Sequence, residues 1–141
     1  MNRNASASWR GGIRDGKGTL TSPSGVLNAT PYSFATRFGD SKGTNPEELI
    51  AAAHAGCYSM ALSMILGEVG VTPEQINTSA TVALEKSGGG FAITTVHLDV
   101  RVRAPGMDEA AFESAARKAK DGCPVSKVLN AKISMDASLE G

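Results

Sequence analysis

The run from Asn45 to Pro73, NPEELIAAAHAGCYSMALSMILGEVGVTP, constrains this chain more than any other segment. Asn45 is placed to cap a helix, Pro46 suits the first helical position because its missing N–H is not needed there, and Glu48 follows the cap by three residues as in a capping box. The spacing predicts a helix to about Val69, where GVTP ends it. Ile50, Ala53, Cys57, Met60, Ala61 and Met64 share one stripe, while Ala51, Ala52, Ala55, Gly56 and Leu62 leave the other faces small or apolar. A helix apolar nearly all round is expected to be a buried central helix, and its small side chains allow a second helix to approach closely. His54, Gly56 and Ser59 interrupt the run and argue against a membrane span.

The flanking sequence reads as short strands and amphipathic helices. Before the helix, strands are predicted around Ser8 to Ile13, Gly18 to Thr21 and Tyr32 to Phe38. In the last of these, Tyr32, Phe34 and Phe38 share one face and Ser33, Ala35 and Arg37 the other. After it, Ala80, Val82 and Leu84 alternate, SGGG turns, and Val96, Leu98, Val100 and Val102 alternate with His97, Asp99, Arg101 and Arg103, which predicts a hairpin with one buried face. Met107 to Lys120 carries Ala111, Phe112, Ala115 and Ala119 at helical spacing. Cys123 and Pro124 open a short helix through Leu129, and Ile133, Met135 and Ala137 alternate in a closing strand. There is no regular alternation of strand and helix, so the fold class is α+β.

A chain of 141 residues is expected to form a single domain, 1–141. Its formal net charge is zero, which favours neither nucleic acid nor an anionic membrane as partner. MNRNASASWRGG lacks the apolar core of a secretory signal, so an unprocessed cytoplasmic protein is expected. Two cysteines are too few for a disulfide scaffold, which keeps a redox or ligand role for them open.

Each residue with chemical potential also has a plain reading. Cys57 lies on the apolar stripe, where a free cysteine is ordinarily a small core residue; as a reactive thiol it needs a nearby cation, from His54 or a more distant arginine or lysine. Cys123 stands at a predicted helix N-terminus, where amide N–H groups favour a thiolate, and is locally the better activated of the two. His54 and His97 with both cysteines would suit zinc, but no ligand spacing supports that set. Glu47 and Glu48 are natural partners of a helix dipole, and Arg37 is by default a solvated charge. An apolar ligand or acyl-binding module with packed cysteines, and a hydrolase built on Cys57 and His54, are competing functional classes.

Taken together, GVLNATPYSFATRFGDSKGTNPEELIAAAHAGCYSMALSMIL and the later AKDGCPVSKVLNAKI closely resemble the OsmC branch of the OsmC and organic hydroperoxide resistance family. The resemblance spans almost the whole chain and joins both cysteine contexts to the N-P-E-E helix start. It implies an intertwined α+β homodimer with active sites at the interface, a long buried central helix and antiparallel sheets. It also implies a thiol-dependent peroxidase acting on organic hydroperoxides, and more weakly on hydrogen peroxide. Cys57 matches the peroxide-attacking cysteine, Cys123 the resolving cysteine, Arg37 the active-site arginine and Glu47 the helix-start glutamate. The implied partners are the hydroperoxide, a second copy of the chain and a dithiol reductant, for instance of lipoyl type; no cofactor, metal, nucleic acid or membrane is implied.

Helix geometry adds one constraint to that picture. Ten residues at about 1.5 Å each separate Glu47 from Cys57 by roughly 15 Å along the axis. If both serve one site, the glutamate must come from a second subunit, whereas Arg37 could come from either.

Overall fold

The structure, a computed structural model, describes all residues from Met1 to Gly141. In chain order the elements are β1 (Ser6–Arg10), β2 (Lys17–Thr21), β3 (Thr30–Tyr32), α1 (Phe34–Phe38), α2 (Pro46–Glu68), β4 (Gln75–Ser87), β5 (Gly90–Arg103), α3 (Glu109–Gly122), α4 (Pro124–Val128) and β6 (Lys132–Glu140). This is the α+β class that the order of patterns predicts. Residues Met1–Leu49 and Ile50–Gly141 form two compact units.

The first unit is an antiparallel sheet, β1-β2-β3, followed by α1. Gly18 on β2 pairs with Trp9 on β1 and Tyr32 on β3, and a Cβ there would collide with the rings of both. The missing side chain lets Trp9 and Tyr32 come within 5.5 Å, centroid to centroid, across the strand between them.

The expected strand from Tyr32 to Phe38 is replaced by three residues of β3 and the helical turn α1. The cause is local. The Ser33 side chain accepts from the Thr36 amide while the Thr36 hydroxyl accepts from the Ser33 amide, a reciprocal capping box that starts a helix at Phe34. Phe34 and Phe38, which look like one strand face at period two, are instead an i, i+4 pair with centroids 4.8 Å apart.

Asn45 caps α2 as its sequence predicts, its Oδ1 accepting from the Glu48 amide at 2.8 Å. The reciprocal half of the box is absent because the Glu48 carboxylate accepts from the Thr44 hydroxyl at 2.7 Å. At the other end Gly70, at φ +78°, and the Val71 amide donating to Leu66 O close the helix in the manner of a Schellman motif.

The second unit holds the rest of α2, the sheet β4-β5-β6 and the helices α3 and α4. β4 and β5 form the antiparallel hairpin, turning at Gly88 and Gly89, both with positive φ. The expectation of antiparallel sheets fails here: β6 pairs with β5 in parallel, which requires a crossover, and α3 and α4 supply it. One face of the sheet forms the core: Val96, Leu98, Val100 and Val102 are buried against Tyr58, Leu62 and Leu66 of α2 and Phe112, Ala115, Ala116 and Ala119 of α3.

Helix α2 has the predicted length but is not buried all round. His54, Tyr58, Leu62 and Leu66, four residues apart, face the core, whereas Met60 and Met64 of the expected stripe are 77% and 64% exposed. By length and a mean hydropathy of 1.6 over 18 residues the helix could also cross a membrane, a property it shares with core helices of globular folds. Here its inner face is built into the protein core.

Candidate active site

The residues expected to carry chemistry fall into two pairs. In the first unit, Arg37 lies in the last turn of α1 and Glu47 in the first turn of α2, and the Asn45 side-chain amide donates to Thr36 O at 3.1 Å, tying one helix start to the other helix. Arg37 Nε donates to Glu47 Oε1 and Nη2 to Oε2, each at 2.9 Å. This two-pronged contact fixes the guanidinium plane as well as its position. It uses one edge of the fork and leaves the Nη1 side available to another acceptor. Glu47 is buried, while the Arg37 side chain is 38% exposed and lies 5.7 Å over the Phe38 ring.

Arg37 is the charged wall of an otherwise largely apolar cavity of about 300 Å³, lined also by Trp9, Ile13, Tyr32, Phe34 and Phe38. That is the size and character of a small-ligand pocket. Tyr32, Phe34 and Phe38 line this cavity, and Met60 and Met64 of α2 do not. Trp9 and Ile13 escaped the sequence reading because Trp9 enters through its pairing with Gly18 and Ile13 from the turn between β1 and β2, and no local motif marks either.

In the second unit Cys57 of α2 and Cys123, the residue before α4, lie with their sulfurs 3.0 Å apart. Both are free thiols, Cys123 fully buried and Cys57 partly exposed. Burial pushes Cys57 up, and its bond to Cys123 adds to that, with the Val125 amide opposing. Burial also raises Cys123, but the bonds it receives from Cys57, from the Ser126 amide and hydroxyl and from the Val125 amide outweigh it, so the net direction is down. None of the influences on Cys57 is a cation.

The two histidines have separate partners. His54, fully buried, places Nε2 2.7 Å from Ser126 Oγ, and burial lowers its pKa. On the polar face of the sheet, His97 places Nδ1 2.7 Å from Ser134 Oγ and Nε2 3.2 Å from Asp136 and 3.7 Å from Asp99. The set of two cysteines and two histidines considered for zinc is therefore not assembled. His97, Asp99 and Asp136 have ligand atoms within 4.8 Å of one another, in a cluster that is surface-exposed or half-buried.

Comparison with known proteins identifies relatives of the chain as a whole. The family model described as OsmC-like protein matches residues 39–138. The chain is 54% identical over 140 residues to Peroxiredoxin OsmC of Escherichia coli (strain K12), covering 99% of this chain and 98% of that protein. It is 31% identical over 112 residues to the organic hydroperoxide resistance protein of Xanthomonas axonopodis pv. citri (strain 306), covering 79% and 75% of the two chains. Among solved structures, the organic hydroperoxide resistance protein OhrB of Bacillus subtilis superimposes with a TM-score of 0.71 at 26% identity, covering 96% of this chain and 98% of that one.

Proposed function

The chain belongs to the OsmC-like protein family, and from that membership and its paired thiols we infer that it is a cysteine-based peroxidase reducing organic hydroperoxides. The observation that carries the reading within the molecule is the 3.0 Å approach of Cys57 to Cys123, near enough for one sulfur to attack the other after oxidation.

We assign Cys57 as the thiol that attacks peroxide. Its thiolate displaces an alkoxide from ROOH, the O–O bond breaks, a sulfenic acid forms on Cys57, and the alkoxide takes up a proton to give the alcohol. Cys123 as thiolate then attacks the sulfenic sulfur, the S–O bond breaks, hydroxide leaves as water on protonation, and a disulfide forms. A dithiol reduces that disulfide by exchange, itself ending as a disulfide, and a lipoyl-type dithiol fits this step.

Cys57 needs a positive charge to become the stronger thiolate of the pair, and Arg37 is assigned that task. Its guanidinium stays charged through the cycle, and the side not held by Glu47 can face both thiolate and peroxide. The pocket beside Arg37 offers aromatic walls to an alkyl or aryl group, which favours an organic hydroperoxide over hydrogen peroxide. The proposed assembly is an intertwined homodimer, the whole chain being one domain of the family, in which the Arg37–Glu47 pair of one subunit serves Cys57 of its partner. Supporting this are the roughly 15 Å axial offset of Glu47 from Cys57 on one helix and the exposed Met60 and Met64 on α2. A cytoplasmic location, with thiol reductants at hand, completes the proposal.

The decisive test compares consumption of cumene hydroperoxide and hydrogen peroxide with a dithiol donor. Cys57→Ser is expected to abolish turnover, and Cys123→Ser to consume about one equivalent of peroxide and stall. Steady turnover by Cys57→Ser would transfer the attacking role to Cys123. No turnover by the wild-type chain, with both thiols slow to react, would favour a ligand-binding module instead.

A further inference from the structure

His54 is fully buried, and its Nδ1 is a buried polar atom with no hydrogen-bond partner. That orphan fixes the state of the ring. A buried N–H without an acceptor is rarer and more costly than a bare lone pair without a donor, and burial disfavours the doubly protonated ring. The proton therefore sits on Nε2, which donates to Ser126 Oγ at 2.7 Å. Ser126 has one hydroxyl hydrogen, and with its oxygen already accepting from His54 that hydrogen is free to turn toward Cys123, which stands three residues earlier at the start of α4.

We infer that His54 and Ser126 are positioning residues for the resolving thiol: a neutral imidazole locked as the Nε2–H tautomer aims the Ser126 hydroxyl at Cys123 and holds its sulfur as a thiolate for attack on the Cys57 sulfenic acid. The inference rests on the assignment of Cys123 as the resolving cysteine. Its weight falls on the second chemical step. Before oxidation the Cys57 S–H can help hold negative charge on Cys123. Once Cys57 has become a sulfenic acid that S–H is gone, and the Ser126 hydroxyl with the Val125 and Ser126 amides remains. The titratable groups facing Cys123 are Cys57 and Tyr58 of α2, with His54 one hydroxyl removed. Tyr58 donates its own proton to Ala116 O at 3.1 Å, and no Lys, Arg, Asp or Glu contributes to the lowering of Cys123. The hydroxyl is thus the one side-chain donor near Cys123 that oxidation of Cys57 leaves unchanged.

The test uses two readouts. In a Cys57→Ser background, where Cys123 is the sole thiol, ultraviolet thiolate absorbance is followed against pH after circular dichroism confirms the fold. Ser126→Ala and His54→Leu are expected to raise the Cys123 midpoint by about one pH unit, the effect of one hydrogen bond to a charged group. His54→Gln, whose amide can replace the Nε2–H, is expected to leave it near its starting value. With both cysteines present, Ser126→Ala and His54→Leu should leave the first equivalent of peroxide consumed at the usual rate but slow disulfide formation about tenfold at neutral pH. More Cys57 should then reach the sulfinic state. An unchanged midpoint in Ser126→Ala, or equal rises in His54→Gln and His54→Leu, overturns the inference. Failure of the wild-type chain to consume peroxide overturns the functional reading instead, and the thiolate midpoints still decide the role of His54 and Ser126.

Discussion

Replacing Arg37 with lysine separates the structural worth of this cation from its catalytic worth. The substitution keeps the charge and loses the planar fork. Arg37 now makes two bonds to Glu47, each 2.9 Å long, from Nε and Nη2. A lysine ammonium can keep one of them, so one bond to a charged group is lost, worth ~1.5–3 kcal/mol if fully shielded. Because the Arg37 side chain is 38% exposed, solvent screening reduces this to about 1 kcal/mol or less of folding stability. The catalytic loss is larger. An ammonium engaged by Glu47 cannot also present a fixed donor toward thiolate and peroxide, and removing one preorganised donor of that kind costs about a hundredfold or more in rate. The expected result is a small drop in the denaturation midpoint beside a steep fall in kcat/KM for cumene hydroperoxide, with slower alkylation of Cys57 at neutral pH. Arg37→Ala should fall at least as far in rate. Wild-type turnover and an unchanged alkylation profile in Arg37→Lys would refute the reasoning and return Arg37 to the status of a surface charge.

Two further outcomes follow from features elsewhere in the molecule. Sedimentation of the wild-type chain at micromolar concentration is expected to show a dimer, and Met60→Lys with Met64→Lys, which sets charge on the exposed face of α2, should yield a monomer with little peroxidase activity; a fully active wild-type monomer would defeat the shared-site proposal. The lowered pKa of His54 makes stability depend on pH: below about 6.5 the unfolded chain takes up a proton that the buried ring resists, so stability is full above that pH and is lost as pH falls, by at most about 1.4 kcal/mol per pH unit. Denaturant titrations between neutral and acidic pH should show a shallower loss in His54→Gln than in the wild type, and identical slopes would contradict the assignment of a neutral buried imidazole.

How far the sequence revealed this molecule depended on whether a local signal had a rival. Val96, Leu98, Val100 and Val102 alternate against charged neighbours, and that contrast marked the buried face of β5 correctly. The start of α2 was legible because Asn45 and Pro46 are strong, short-range signals. Its buried face was not, because alanine, glycine and methionine on every side leave little polarity contrast to distinguish inside from outside. The Tyr32 to Phe38 segment misled for a different reason: aromatic residues at even spacing satisfy both a strand and an i, i+4 helical pair, and the Ser33–Thr36 capping box decides between them. At the site, Arg37, Glu47, Cys57 and Cys123 were named through family motifs. The His54–Ser126 contact bridges 72 positions of sequence, a separation no local pattern reports.

The proximity of Cys57 and Cys123 has a mechanical side as well. They stand 66 positions apart, and a disulfide between them would tie α2 to the crossover that brings β6 beside β5. Closing a loop of that length takes so much freedom from the unfolded chain that, on the chain-entropy view, the oxidised form gains about 4 kcal/mol of resistance to unfolding. Oxidant would therefore toughen the protein at the moment it is consumed, and reductant would loosen it again. Heat tolerance would rise and fall with each catalytic cycle, leaving the fully reduced enzyme as the form most exposed to proteases and chaperones.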